Sequence, residues 1–176
     1  SLLPQVSGPF ILIVGGLRQK KGGRWTLDVA KALKARGSDL RIVIAGPNDP
    51  LLEAEGRALG NFDFLGWVED ADLPRLNREA VALLFLSPYE GFGIPAIEAM
   101  AVGTPAVVAN RASLPEVVGE VGYIVEPDQT AEIAEILQAL ESGSECYEVA
   151  VGKAWALQFS WSRCADRVLS ALQAHA

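Results

Sequence analysis

What this chain has little of narrows its chemistry before any motif is read. Its only histidine is His175, beside the C-terminal end of 176 residues, so no His-based acid–base or metal chemistry can be assembled from the chain alone. The two cysteines, Cys146 and Cys164, fall in helix-like segments and form no metal-binding spacing; they are expected as small reduced core residues rather than a disulfide. The apolar runs are of strand length, so no membrane span is expected. The opening Ser1-Leu-Leu-Pro-Gln5 has no basic region leading into a signal-like stretch, which points to the cytoplasm. After the first apolar run the chain reads Val14-Gly-Gly-Leu-Arg-Gln-Lys-Lys-Gly-Gly23, which is neither G-x-G-x-x-G nor G-x-x-x-x-G-K-[ST]. That argues against a dehydrogenase and a P-loop ATPase. Ser87 sits in no G-x-S-x-G elbow, which removes the serine hydrolase signature.

What is present is hydrophobic and unevenly charged. Half of the residues are hydrophobic, enough for one sizeable core, and residues 1–176 read as a single domain. The net charge is −7, but the chain up to Asn48 carries eight basic residues against Asp28 and Asp39, and the remainder seven basic against twenty acidic. An acidic protein of this kind is a poor partner for nucleic acid. Arg18, Lys20, Lys21 and Arg24 gather directly after the first strand, where a nucleotide phosphate lies in doubly wound folds.

Strand-like runs at Phe10–Val14, Leu40–Ala45, Phe62–Leu65, Val81–Leu86, Pro105–Ala109 and Gly122–Val125 alternate with helical periods such as Trp25, Val29, Ala32 and Leu33. The longer runs are apolar without alternation, as in parallel strands covered on both faces. The expected fold is therefore α/β: a Rossmann-like, doubly wound parallel sheet of about six strands with helices on both faces. Ser113-Leu-Pro-Glu116 has the pattern of a capping box. Extra C-terminal helices follow at about Gln129–Glu141, Glu145–Gln158 and Trp161–Ala174. The last sets Trp161, Cys164, Ala165, Val168, Leu169 and Leu172 on one broad stripe.

The segment richest in chemistry is Glu90-Gly-Phe-Gly-Ile-Pro-Ala-Ile-Glu98. Pro95 suits the first helical position, where a missing N–H costs nothing. The free N–H groups of Phe92, Gly93 and Ile94 would then converge with the positive end of the helix dipole as a seat for phosphate. Glu98, in the first turn, leans back toward the same seat. A carboxylate beside a phosphate is repelled unless it accepts hydrogen bonds from hydroxyls, so the segment reads as a site for a sugar nucleotide. A solvated loop Glu90 and a dipole-complementing Glu98 are the plain alternatives.

On these residues the chain resembles the C-terminal, donor-binding half of a GT-B glycosyltransferase of the large family 4. Ile11-Leu-Ile-Val-Gly15 with Lys21-Gly22 is similar to the family's first strand and phosphate loop, and Phe64-Leu-Gly-Trp-Val68 with Leu73 to its base-pocket segment. Ser87-Pro-Tyr-Glu-Gly-Phe-Gly-Ile-Pro-Ala-Ile-Glu98 and the residues on to Pro105 resemble its signature, with the two glutamates separated by seven residues. Ser113-Leu-Pro-Glu-Val-Val, Gly122-Tyr-Ile-Val-Glu-Pro and Phe159-Ser-Trp161 continue the likeness.

The resemblance implies that Glu90 holds donor-sugar hydroxyls and Glu98 the ribose. The backbone of Phe92, Gly93 and Ile94 would bind sugar and diphosphate. Lys21 would neutralise the leaving diphosphate, within a loop that includes Gly15, Gly16, Arg18 and Lys20. Trp67, Val68 and Asp70 would meet the base; Asp70 could accept the two adjacent donors of guanine, pointing to GDP-mannose, or simply cap the helix leading to Leu76. Retaining hexose transfer is the expected reaction, and it is expected to need no metal, since no carboxylate cluster with coordinating spacing lies near the phosphate seat. The acceptor, a glycan or a lipid-linked sugar, would enter through an N-terminal half that this chain lacks. Any membrane contact, at the inner face, would also belong to that half. One departure stands out: many members carry an arginine at the position of Gly16. It favours an alternative, a catalytically silent nucleotide-sugar-binding module or partner subunit. A non-hydrolysing sugar-nucleotide epimerase fits the glutamate-bracketed signature less well.

Overall fold

The computed structural model describes residues 6–174, so the expectations at Ser1–Gln5 and His175 lie outside the described residues. Among the described residues, six strands form one parallel sheet in the order β3-β2-β1-β4-β5-β6. They are β1 Phe10–Val14, β2 Arg41–Ala45, β3 Phe62–Gly66, β4 Ala82–Phe85, β5 Ala106–Ala109 and β6 Tyr123–Val125. Each falls within a residue or two of its expected run. The centre is set by the most apolar segments: Ile11 and Leu12 of β1, Ile42 and Val43 of β2 and Leu83 and Leu84 of β4 are fully buried. Each such side chain favours the fold by about 1.5–3 kcal/mol. A strand this apolar is stable only between two helical layers.

Those layers follow from right-handed crossovers. Helix α1 (Gly23–Ala35) contacts α2 (Pro50–Leu59) and α6 (Thr130–Ser142) in one group. Helix α4 (Ile94–Val102) contacts α3 (Leu73–Glu79), α5 (Leu114–Val118) and α7 (Val149–Ala156) in the other. Helix α1 turns Leu27, Val29, Ala30 and Leu33 into the core, with Trp25 and Ala32 at its margin. Helix α2 starts where Asp49 accepts a hydrogen bond from the N–H of Leu51, with Pro50 in the first turn.

Three expectations need correction. Cys146 and Cys164 are both free and exposed, not core residues. The helix expected from Glu145 begins only at Val149, which leaves Cys146 in the preceding loop. Cys164 lies on α8 (Trp161–Gln173), whose apolar stripe is left exposed; no residue of this helix is buried, and Trp161 is 84% exposed. Finally, Ser113 does not cap α5 with its side chain, because its hydroxyl is engaged elsewhere. Among the described residues no helix is long and apolar enough to cross a membrane.

Candidate functional site

The crossovers change direction between the adjacent strands β1 and β4, and the loops leaving these strands share one edge of the sheet. In doubly wound folds that crevice is the ligand site. The loop after β1 is shaped by glycine. The N–H groups of Gly15 and Gly16 both donate to the Ala45 carbonyl, at 2.8 and 3.0 Å. A Cβ on Gly16, at φ 85°, would stand 1.7 Å from the Pro47 carbonyl oxygen. No side chain fits there, so the arginine common in the family is excluded by packing as well as by identity. The chain then makes a short 3-10 turn over Gln19–Lys21 and leaves it through Gly22 at φ 76°, where a Cβ would lie 2.0 Å from the Leu86 carbonyl oxygen.

The two loops therefore interlock. The buried Ser87 hydroxyl lies 3.4 Å from the Lys20 carbonyl and 3.2 Å from that of Tyr89. Across this joint, Lys21 Nζ sits 2.5 Å from Glu90 Oε1, with side chains 24% and 15% exposed, and 5.7 Å from the centre of the Phe85 ring. The residues assigned to phosphate and to sugar thus face one another as an ion pair. Lys20 is exposed beside them. Arg18 buries its Nε without a hydrogen-bond partner among the described residues. Arg24 belongs elsewhere: its guanidinium pairs in two bonds with Glu55, at 2.6 and 2.9 Å.

The loop after β4 reaches α4 through Gly93 at φ 106°, where a Cβ would meet Leu114 Cδ2 at 2.7 Å. The helix starts at Ile94, so Pro95 is its second residue and Glu98 falls just beyond the first turn. Within the described residues, the N–H groups of Gly91, Phe92, Gly93 and Ile94 make no hydrogen bond. Four donors in the turn leading into α4, unclaimed among the described residues, are available to an anion. Phe92 packs edge-on against Phe159 at 5.6 Å, which packs against Trp155 at 5.9 Å, and Trp155 Nε1 donates to the Val117 carbonyl at 2.8 Å. Phe159 of the late Phe-Ser-Trp segment, backed by Trp155, thus braces the signature loop, a role its sequence did not announce.

Glu98 is near enough to Asp70 for the two carboxylates to interact. Desolvation by its surroundings, then the charge of Asp70, raises the Glu98 pKa above the ordinary carboxylate value. Asp70 does not cap α3, which is preceded by Asp72. Trp67 is 77% exposed, whereas Val68 is buried. The recess lined by Arg41, Arg57, Asp63 and Phe64 lies along the β3 edge, away from these loops. Its charges are already paired, Arg41 with Asp63 and Arg57 with Glu53.

Residues 8–142 match the family model of glycosyl transferases group 1. The chain belongs to the group 1 glycosyltransferases. Among relatives of this glycosyltransferase chain, the O-antigen chain mannosyltransferase B of Escherichia coli is 43% identical over 123 residues, covering 68% of this chain and 32% of the relative. The GDP-mannose-dependent alpha-(1-6)-phosphatidylinositol dimannoside mannosyltransferase of Mycobacterium tuberculosis is 32% identical over 170 residues, covering 94% and 45%. The chain spans less than half the length of these curated relatives. The crystal structure of HepE from Anabaena in complex with UDP and glucose shares the fold, with a TM-score of 0.78 at 23% identity over 94% of this chain and 48% of HepE. The C-terminal domain of the group 1 protein LpcC from Francisella tularensis superposes with a TM-score of 0.71 at 26% identity, covering 85% of each chain.

Proposed function

We propose that this chain is the donor-binding half of a retaining glycosyltransferase that moves a hexose, with mannose favoured, from a nucleotide-diphosphate sugar to a glycan or lipid-linked acceptor. The observation that carries the reading is the meeting of Lys21, Glu90 and four unclaimed N–H groups at the switch point between β1 and β4. The diphosphate would lie against the N–H groups of Gly91–Ile94 and the Lys21 ammonium. These need no metal ion to oppose the charge that grows on the leaving group. Glu90 would accept from sugar hydroxyls at the reacting end, and Glu98, with Asp70 beside it, from ribose and base. The names of two mannosyltransferase relatives, one GDP-mannose-dependent, support mannose and guanine. The domain assignment draws support from the mutual 85% coverage with a separately crystallised C-terminal domain.

Titration calorimetry of this chain with GDP, UDP and ADP tests the seat. A diphosphate held by backbone donors and one or two lysines, without a second half closing over it, should bind with a Kd of ~0.1–1 mM, or about −4 to −5.5 kcal/mol. Neither heat nor amide shifts at several millimolar of any of the three would remove the site. A catalytically silent module is the second reading, favoured by Gly16. It predicts the same binding but no transfer from GDP-mannose once the chain is joined to its N-terminal half.

A further inference from the structure

The loop carrying Glu90 is fastened from one side by a single hydroxyl. Ser113 Oγ lies 2.9 Å from the Glu90 carbonyl oxygen and 2.9 Å from that of Phe92. A hydroxyl has one proton, so it is shared between, or alternates between, these two acceptors. In a trans peptide the C=O and the following N–H point in opposite directions, and the described chain has no cis bonds. Drawing the carbonyls of Glu90 and Phe92 toward Ser113 therefore turns the N–H groups of Gly91 and Gly93 the other way. Those two N–H groups are among the four that make no hydrogen bond among the described residues.

The placement of Ser113 is itself enforced. Ala112 precedes it at φ 49°, the one non-glycine residue in the left-handed region among the described residues. Such a conformation disfavours an L side chain and persists where the surroundings fix it. Leu114 follows, fully buried, and its Cδ2 occupies the space that a Cβ on Gly93 would need, 2.7 Å away. The hydroxyl is not needed by its own helix, since α5 has no side-chain cap.

We propose that Ser113 is a positioning residue for the donor seat: its hydroxyl orients the 90–91 and 92–93 peptides so that their N–H groups face the diphosphate. The proposal rests on the donor seat argued above. Its test uses this chain and whichever of GDP, UDP and ADP binds it best, set against the corresponding monophosphate. Ser113→Ala should weaken the diphosphate about fivefold to tenfold, the loss expected for about one net hydrogen bond. It should leave the monophosphate nearly unchanged, so the affinity ratio between the two falls. Ser113→Thr, which keeps the hydroxyl, should restore the ratio. In the free protein, the amide signals of Gly91 and Gly93 should move in the Ala variant and return in the Thr variant. A wild-type ratio in a folded Ser113→Ala variant, or equal losses for both nucleotides, overturns the proposal. Should the Ala variant fail to fold, Ser113→Cys, with a weak donor of similar volume, carries the same comparison, and a wild-type ratio there overturns the proposal equally. Absence of any nucleotide binding by the wild type defeats the donor seat itself, a different failure.

Discussion

Breaking the Lys21–Glu90 pair should tighten the binding of a nucleoside diphosphate, although it removes a residue of the candidate site. In the free chain, Lys21 already has a carboxylate 2.5 Å away, and both side chains are mostly shielded from solvent. An incoming diphosphate must take Lys21 from this partner and accept the negative charge of Glu90 nearby. Two like unit charges at ~5 Å repel by about 3 kcal/mol at an effective dielectric near 20. Solvent in an open groove screens that to about 1 kcal/mol. Releasing Lys21 adds a comparable amount, since a net hydrogen bond to a charged group contributes about 1.5–3 kcal/mol and is only exchanged in the wild type. Glu90→Gln, nearly isosteric and uncharged, should therefore tighten GDP by about 1–2 kcal/mol, a gain of roughly fivefold to thirtyfold. GDP-mannose should change in the opposite sense, because its sugar hydroxyls lose a charged acceptor. The double variant Lys21→Ala/Glu90→Gln should bind GDP better than Lys21→Ala alone, which leaves an unpaired carboxylate facing phosphate. Calorimetric titration of the four proteins with both ligands reads all of these signs. An unchanged or weaker GDP affinity in Glu90→Gln would refute the idea that the pair competes with the diphosphate.

Glu98→Ala should weaken every nucleotide by about 1.5–3 kcal/mol in the same titrations, having lost a charged acceptor for ribose. Glu98 is exposed, but desolvation by its neighbours and then the charge of Asp70 raise its pKa, so the folded state holds this proton more firmly than the unfolded one, and the contribution of Glu98 to stability falls as pH rises from 4.5 through the raised value. Relative to Glu98→Gln, the wild-type urea midpoint should fall between about pH 4 and 7; a difference that stays constant with pH would remove this effect. Asp70→Asn should narrow the preference for GDP over UDP by about 1–3 kcal/mol in competition experiments; an unchanged preference would remove the guanine assignment. Gly16→Arg, which restores the residue common in the family, should destabilise rather than activate. Its Cβ would stand 1.7 Å from the Pro47 carbonyl oxygen at a φ of 85°. The cost is about 2–4 kcal/mol from backbone strain and overpacking together, read from the shift in melting temperature.

The fold was legible because its signal is local. The inner strands β1, β2, β4 and β5 are short, mostly apolar runs, and a strand buried on both faces needs no alternation to declare itself. The glutamate-bracketed loop was legible too, since a glycine turn followed by Ile94-Pro95 states where a helix begins. Contacts between distant segments were not. Ser113 looks like a helix cap because capping is a property of four successive residues, yet its hydroxyl serves carbonyls 21 and 23 positions away. The same holds for Phe159 and Phe92, which only the packing of α7 brings together. The exposure of Cys164 is hidden from the sequence because periodicity reports that a helix has an apolar face but not that anything covers it, and α8 buries none of its residues.

Gly16 shows how far the two kinds of information differ. Along the sequence, it is a missing positive charge beside Lys21 and a reason to doubt catalysis. In space, it is a packing requirement: the Gly15–Gly16 backbone crosses the end of β2 so closely that both N–H groups bond one carbonyl, and Pro47 leaves no room for a Cβ. The two descriptions lead to different chemistry. If the position were only an empty arginine site, the diphosphate would meet one cation fewer. Because the loop instead draws in against β2, the turn over Gln19–Lys21 is held by Gly22 against β4, and Lys21 is delivered to the side of the crevice where Glu90 and the free N–H groups lie. On the proposed reading, the diphosphate charge is then met by Lys21 and by the backbone donors that Ser113 would orient. On that account Lys21→Ala and Ser113→Ala should each weaken the diphosphate, and neither loss should be recovered by a cation placed at position 16.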